Sequence, residues 1–194
     1  MEALLAAARA PGYPAEIVLV LANDPAAPGL ATAGRLGRTI DHRPFRRDRA
    51  AHEAALDAAL HDAGAELVCL AGYMRVLTPW LVARWAGRLL NIHPSLLPAF
   101  PGLDTHQRAL DAGVRLHGCT VHHVTAELDS GPILAQAAIP VLPGDTAETL
   151  GRRVLAQEHR LYPEALRLLA GGQPSLPDPT AALLNPLPRA APTP

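Results

Sequence analysis

The chain has 194 residues, of which 49% are hydrophobic and 18% are charged, a composition typical of one globular domain. Its formal net charge is −1, which argues against a broad basic surface for nucleic acid. No apolar stretch reaches the roughly 20 residues of a membrane span, and the first residues lack the basic segment of a signal peptide. The two cysteines lie in apolar runs and predict no disulfide framework. We therefore expect a cytoplasmic protein.

Short apolar runs alternate with helical patterns along the whole chain. The predicted helices are 2–10, 48–64, 78–87, 105–113 and 146–169, and the predicted strands are 16–23, 66–72, 88–93, 118–127 and 132–141. This alternation predicts an α/β fold with a doubly wound, mostly parallel sheet, to which the last two strands add a hairpin-like pair. The strands with continuous apolar runs are expected to be buried on both faces.

Two of the predicted helices carry clear start signals. Asp48 is expected to cap the N-terminus of the second helix, and Gly64 its C-terminus. The third helix is expected to begin with Thr78 as N-cap and Pro79 at the first helical position.

The two ends of the chain differ from the middle. Residues 173–194 hold seven of the 20 prolines, a density that forbids a helix or a central strand, so a Pro-rich tail is expected to follow a domain of 1–172. At the other end the chain starts directly at a helix. A doubly wound sheet normally begins with a strand and a Gly-rich turn that binds phosphate, so we expect that a first strand is missing or that Met1 is an internal methionine.

Asn91 and His93 end a buried strand and lie two residues apart, so their side chains are expected to point the same way. At the carboxyl end of a parallel strand, that direction opens into the crevice where α/β proteins bind ligands. An amide can donate to a developing oxyanion, and an imidazole can transfer a proton near neutral pH. The alternative is a buried histidine with satisfied hydrogen bonds beside a strand-ending asparagine.

Other chemical groups are candidates for the same crevice. Asp129 lies in a turn and could hold a carboxylate near His93, although a turn aspartate needs no function. Alternation along 117–124 puts Thr120 and His122 on one face, which we take as the site side, with an ordinary half-buried strand as the alternative. The segment 74–77 lies between a strand end and a helix start, where it is either a ligand-binding loop or a simple connection.

Several separate blocks resemble one family in order, over about 17–171. They are "AGYMRVL", "RLLNIHPSLLPAFPGLDTHQRAL", "HGCTVHHVTAELDSGPILAQAAIPV" and "QEHRLYP". Together they resemble the phosphoribosylglycinamide formyltransferases, the folate-dependent enzymes of purine synthesis. The resemblance implies the formyltransferase fold for 1–172, small-molecule substrates, and either a monomer or a homodimer.

The resemblance also implies roles for particular residues. Asn91, His93 and Asp129 match the family's catalytic triad, and Glu158 matches a residue that contacts the glycinamide substrate. The co-substrate 10-formyltetrahydrofolate is implied to contact Arg49, Asn91 and two loops, made of Met74, Arg75, Val76, Leu77, Thr125, Ala126, Glu127, Leu128 and Asp129. No metal is implied, and no His/Cys spacing suggests one.

Two other kinds of protein compete with this interpretation. The first is a sister enzyme that uses the same folate, either a formyltetrahydrofolate hydrolase or a methionyl-tRNA formyltransferase. The second is a folate-binding protein whose catalysis is impaired, since the family's strand and phosphate loop do not precede the first helix here.

Overall fold

The fold is taken from a computed structural model, and residues 1–45 and 48–171 are described. The predicted tail of 173–194 lies outside these residues and stays a prediction. The helices are α1 (Glu2–Ala8), α2 (Gly29–Ala33), α3 (Arg49–Asp62), α4 (Pro79–Arg84), α5 (Thr105–Asp111) and α6 (Ala147–Ala170). The strands are β1 (Val20–Ala22), β2 (Gly37–Thr39), β3 (Val68–Leu70), β4 (Leu89–His93), β5 (Leu116–His123) and β6 (Ile133–Pro140).

The first strand is much shorter than the apolar run suggested. Only Val20–Ala22 pairs, and its residues are half-buried, so the prediction of a fully buried strand over 16–23 is wrong. Its partner is β2, a three-residue strand that the sequence did not signal, because "GRT" has no apolar run. Helix α2 was missed for a different reason, because five residues are too few to show a helical period.

The predicted helix signals are confirmed where the structure describes them. Asp48 Oδ1 accepts from Ala51 N at 2.9 Å at the start of α3. Gly64 follows the end of α3 with φ +67°, in the left-handed region that favours glycine. Thr78 caps α4, with Pro79 as its first residue.

The predicted α/β class is confirmed, with a sheet that is mixed rather than mostly parallel. One sheet has two parallel strands, β1 and β2, and the other has the order β3-β4-β5-β6. In the larger sheet β3 and β4 are parallel, whereas β4–β5 and β5–β6 are antiparallel, the latter as the predicted hairpin-like pair. Among the described residues β1 and β3 do not pair with each other. The expectation of a missing first strand stays a prediction.

Helices cover both faces of the larger sheet. One face is covered by α1 and α6, and its core includes Leu90, Val121, Leu150 and Leu161, all fully or almost fully buried. The other face packs against α3 and α4 through a smaller core around Trp85. The carboxyl end of β4 therefore lies at the rim between two packed layers. In the described part of the chain, every helix is too short or too polar to cross a membrane.

Candidate active site

Strand β4 presents two polar side chains on one face at its carboxyl end. Asn91 is half-buried and His93 is 6% exposed. On the opposite face Leu90 and Ile92 pack into the larger core. Because successive side chains of a strand point to opposite faces, the apolar residues of β4 face the larger core and the two polar side chains point away from it.

The loop after β5 brings a carboxylate to the same place. Asp129 has a left-handed backbone (φ +50°), and its Oδ2 lies 3.4 Å from Nδ1 of His93. The same oxygen accepts from the backbone N–H of Gly102 at 2.8 Å. Gly131 lets the loop fold back, because a Cβ there would lie 1.8 Å from the carbonyl oxygen of His123. Asp129 is therefore held in a fixed position beside His93.

His93 has an acceptor at each ring nitrogen. Its Nε2 lies 3.0 Å from the carbonyl oxygen of Phe100, so Nε2 carries the proton and donates. Its Nδ1 faces the carboxylate of Asp129. Both ring nitrogens therefore face groups that can accept a hydrogen bond, and a fixed N–H donor of this kind can stabilise a developing oxyanion.

His122 lies on the site side, as the alternation predicted, and it orients Asn91. Its Nδ1 donates to the carbonyl oxygen of His123 at 2.9 Å, which leaves Nε2 as an acceptor in the neutral ring. That Nε2 lies 3.3 Å from Nδ2 of Asn91, so it accepts one amide hydrogen and the second stays free for a ligand oxygen. Burial lowers the pKa of His122, which keeps the ring neutral and the acceptor present.

Polar residues below the site hold the loop that follows β4. Thr120 is fully buried on the face of β5 that carries His122, and its hydroxyl donates to Ser95 O at 2.7 Å. Gln136 of β6 donates to Leu97 O at 2.9 Å. Sequence reasoning named Thr120 but missed Gln136, whose only signal was its place in an alternating strand.

The first predicted folate loop lies near the predicted Arg49. Met74 and Val76 are 77% and 60% exposed, while Leu77 packs against the smaller core. Tyr73, one residue earlier, is buried enough to raise its pKa, and the nearby cations of Arg75 and then Arg49 oppose that rise. Both arginines are therefore near enough to Tyr73 for their charges to act on its phenol.

The second predicted loop is an exposed turn that leads to Asp129. Thr125 donates from its hydroxyl to the carbonyl oxygen of Glu127 at 3.1 Å, which shapes the turn. Ala126, Glu127 and Leu128 are exposed. The sequence predicted a strand as far as 127, but β5 ends at His123 and these residues are free to face a ligand.

Glu158 lies on α6, apart from the triad. Burial raises its pKa. Burial raises the pKa of the Cys119 thiol to about 12, and the carboxylate of Glu158 adds to that rise. Because Cys119 faces the α6 side of β5, Glu158 is placed on the other side of the sheet from His122. Its predicted role stays a prediction.

The comparison with known families gives the class of protein. Residues 1–166 match the model of the formyl transferase family. This match covers most of the chain, so the chain belongs to the formyl transferase family.

Individual relatives agree with the resemblance seen in the sequence. A crystal structure of phosphoribosylglycinamide formyltransferase from Brucella melitensis has 58% sequence identity and a TM-score of 0.84, over 89% of this chain and 90% of that chain. The phosphoribosylglycinamide formyltransferase of Haemophilus influenzae is 38% identical over 187 residues, 94% of this chain and 87% of that protein.

A longer relative is the trifunctional purine biosynthetic protein adenosine-3 of Gallus gallus. It is 48% identical over 175 residues, which are 89% of this chain but 17% of that protein. The chain therefore spans only a small part of the trifunctional relatives.

Proposed function

We propose that the chain transfers the formyl group of 10-formyltetrahydrofolate to the amine of glycinamide ribonucleotide, in purine biosynthesis. Two relatives named phosphoribosylglycinamide formyltransferase, at 58% and 38% identity over most of this chain, support the proposal. The observation that carries it is the meeting of Asn91, His93 and Asp129 at the end of β4, with both ring nitrogens of the histidine facing acceptors.

The first chemical step is attack of the substrate amine on the formyl carbon, which forms a carbon–nitrogen bond and leaves negative charge on the formyl oxygen. The free amide hydrogen of Asn91 donates to that oxygen, and the Nδ1–H of His93 is shared between it and Oδ2 of Asp129, which lies 3.4 Å from Nδ1. Removing one such donor typically costs about 10²–10³ in rate. Because His122 and Phe100 already hold the two side chains, little reorganisation is needed when the charge appears.

The second step moves a proton from the attacking nitrogen to the folate nitrogen as the bond between that nitrogen and the formyl carbon breaks. Asp129 suits this step, because Oδ2 is held by the Gly102 N–H while Oδ1, 3.8 Å from His122 Nε2, is left to order a water molecule.

Binding roles follow from the same proposal. The folate lies against Arg49, Asn91, the 74–77 loop and the 125–129 loop, and Glu158 contacts the glycinamide substrate. The reaction uses small-molecule substrates and no metal, in the cytoplasm. A monomer and a homodimer would serve it equally, since every proposed group comes from one chain.

The test is to incubate the chain with both substrates and to follow the formylated ribonucleotide by mass. We expect product only when both substrates are present, and a loss of about 10²-fold or more with Asn91→Ala. Gln107→Ala, an exposed change on α5, is the matched control. Formate release without the amine would identify a hydrolase instead, and folate binding without turnover would identify a binding protein.

A further inference from the structure

A four-residue backbone segment, 100–103, touches both ionisable members of the triad. The carbonyl oxygen of Phe100 accepts from His93 Nε2 at 3.0 Å. Two residues later the N–H of Gly102 donates to Asp129 Oδ2 at 2.8 Å. The orientations of the ring and of the carboxylate therefore both depend on where this segment lies.

The outer side of the same segment is bound by one arginine. Nη1 of Arg108, on α5, donates to the carbonyl oxygen of Pro101, and it lies 3.2 Å from that of Leu103. The guanidinium carbon is also 5.7 Å from the centre of the Phe100 ring, within the range of a cation–π contact. The backbone groups of 100–103 thus alternate in direction. Those of residues 100 and 102 bond to the triad, and those of residues 101 and 103 bond to Arg108.

The segment needs such a restraint. Phe100 and Asp104 both have left-handed backbones, with φ of +54° and +56°, which are unfavourable for residues that carry a Cβ. The earlier part of the loop is held from below by Thr120 and Gln136, which bond to the backbone of 95–97. Within 1–45 and 48–171, the side chains bonded to 100–103 are those of His93, Asp129 and Arg108.

We propose that Arg108 is a positioning residue, which holds 100–103 so that Phe100 O and Gly102 N–H keep His93 and Asp129 in their reactive arrangement. This inference rests on the proposed function for its effect on rate, but its effect on His93 does not depend on any substrate. A lysine ammonium could donate to both carbonyl oxygens as Nη1 does, but it lacks the planar guanidinium that lies near the Phe100 ring.

The test compares Arg108→Ala and Arg108→Lys with Gln107→Ala. Gln107 is the neighbouring exposed residue on α5, and within the described residues its side chain bonds to Asp111 alone, so it is a matched control. We expect Arg108→Ala to lower kcat by about tenfold with KM values nearly unchanged, since the loss is one of catalytic geometry. Arg108→Lys should recover part of the rate, and Gln107→Ala should retain it all.

The second readout is the NMR signal of the His93 Nε2–H proton in the free protein. We expect this proton to exchange with water at least about tenfold faster in Arg108→Ala than in the wild type, because its bond to Phe100 O is no longer fixed. Unchanged exchange in Arg108→Ala, or an equal acceleration in Gln107→Ala, would overturn the proposal. If the wild type transfers no formyl group, the proposed function fails, while the exchange rates still decide the role of Arg108.

Discussion

Asp129 combines a strained backbone with a defined charge, so its two contributions can be separated. An asparagine tolerates a left-handed backbone and still accepts from the Gly102 N–H, but it carries no charge beside His93. We expect Asp129→Asn to lower kcat by about 10³, within the range for an acid–base group. Its unfolding free energy should change by less than about 1 kcal/mol. Asp111→Asn, an exposed change, is the control, and equal rates in the two variants would contradict the role of Asp129.

His122 tests whether Asn91 must be oriented. Phenylalanine keeps a ring of similar size but cannot accept the amide hydrogen at Nε2. We expect His122→Phe to lower kcat by about tenfold to a hundredfold, as for a small loss of alignment. His123→Phe, one residue on and facing away from Asn91, is the matched control. Steady-state rates at neutral pH measure both, and a smaller effect at 122 than at 123 would refute the idea.

The proposed catalytic side chains could be found from the sequence, but the groups that hold them could not. Asn91 and His93 can be predicted because the side chains of residues i and i+2 at a strand end point to the same face. The acceptor of His93 is the backbone of Phe100, and every residue type carries a carbonyl. Arg108 has no signal either, since its partners are carbonyl groups of a loop whose shape follows from tertiary contacts.

At the scale of elements, the turn after β5 depends on one glycine. A Cβ on residue 131 would lie 1.8 Å from His123 O and 3.2 Å from Thr125 Cγ2, so the loop would have to move. We expect Gly131→Ala to lower the unfolding free energy by about 1–3 kcal/mol and to reduce kcat, because Asp129 is two residues away. Urea unfolding and rate measurements check this.

Ser130→Ala serves as the control for that change. Ser130 is exposed, and in the part of the chain that the structure describes its hydroxyl donates to Leu128 O alone, within the same turn. Its stability should stay within about 0.5 kcal/mol of the wild type. If Gly131→Ala were equally harmless, the close approach of the loop to β5 would not be needed.

Helices and strands were predicted correctly where local sequence signals define their ends. The prediction failed where the length of a strand depends on its pairing partner. The capped helices α3 and α4 and the hairpin β5–β6 follow from caps and alternation. The run at 16–23 is equally apolar, yet only three of its residues form a strand, since its partner β2 is only three residues long. The length of a strand depends on its pairing partner, and one apolar run of the sequence does not reveal that partner.

At the scale of the whole molecule, the two cores meet along β4. Leu89 packs into the smaller core and Leu90 into the larger one, so the strand that carries the proposed catalytic pair is held from both faces. This arrangement restrains the backbone of Asn91, whose side chain bonds to His122. The predicted packing of helices on both faces of the sheet therefore restrains the strand that carries the site, even though the strand directions in the sheet are mixed.

Acid should destabilise the whole fold through a histidine pair near the site, in which His117 is buried and His106 is half-buried. Nδ1 of His106, on α5, lies 3.0 Å from Nε2 of His117, on β5, so one ring donates and the other accepts. Burial, followed by the charges of His106 and His93, lowers the pKa of His117 to about 4. In the unfolded chain the same group has the ordinary histidine pKa of 6.5.

The sign follows from these two values. Below pH 6.5 His117 binds a proton in the unfolded chain but not in the folded chain. The unfolding free energy therefore falls as the pH drops towards about 4. One such group contributes a slope of at most about 1.4 kcal/mol per pH unit. His117→Gln should therefore show a shallower loss of stability than the wild type across that window, whatever its stability at neutral pH. Urea unfolding at several pH values measures both slopes, and parallel curves would mean that another group carries the acid sensitivity.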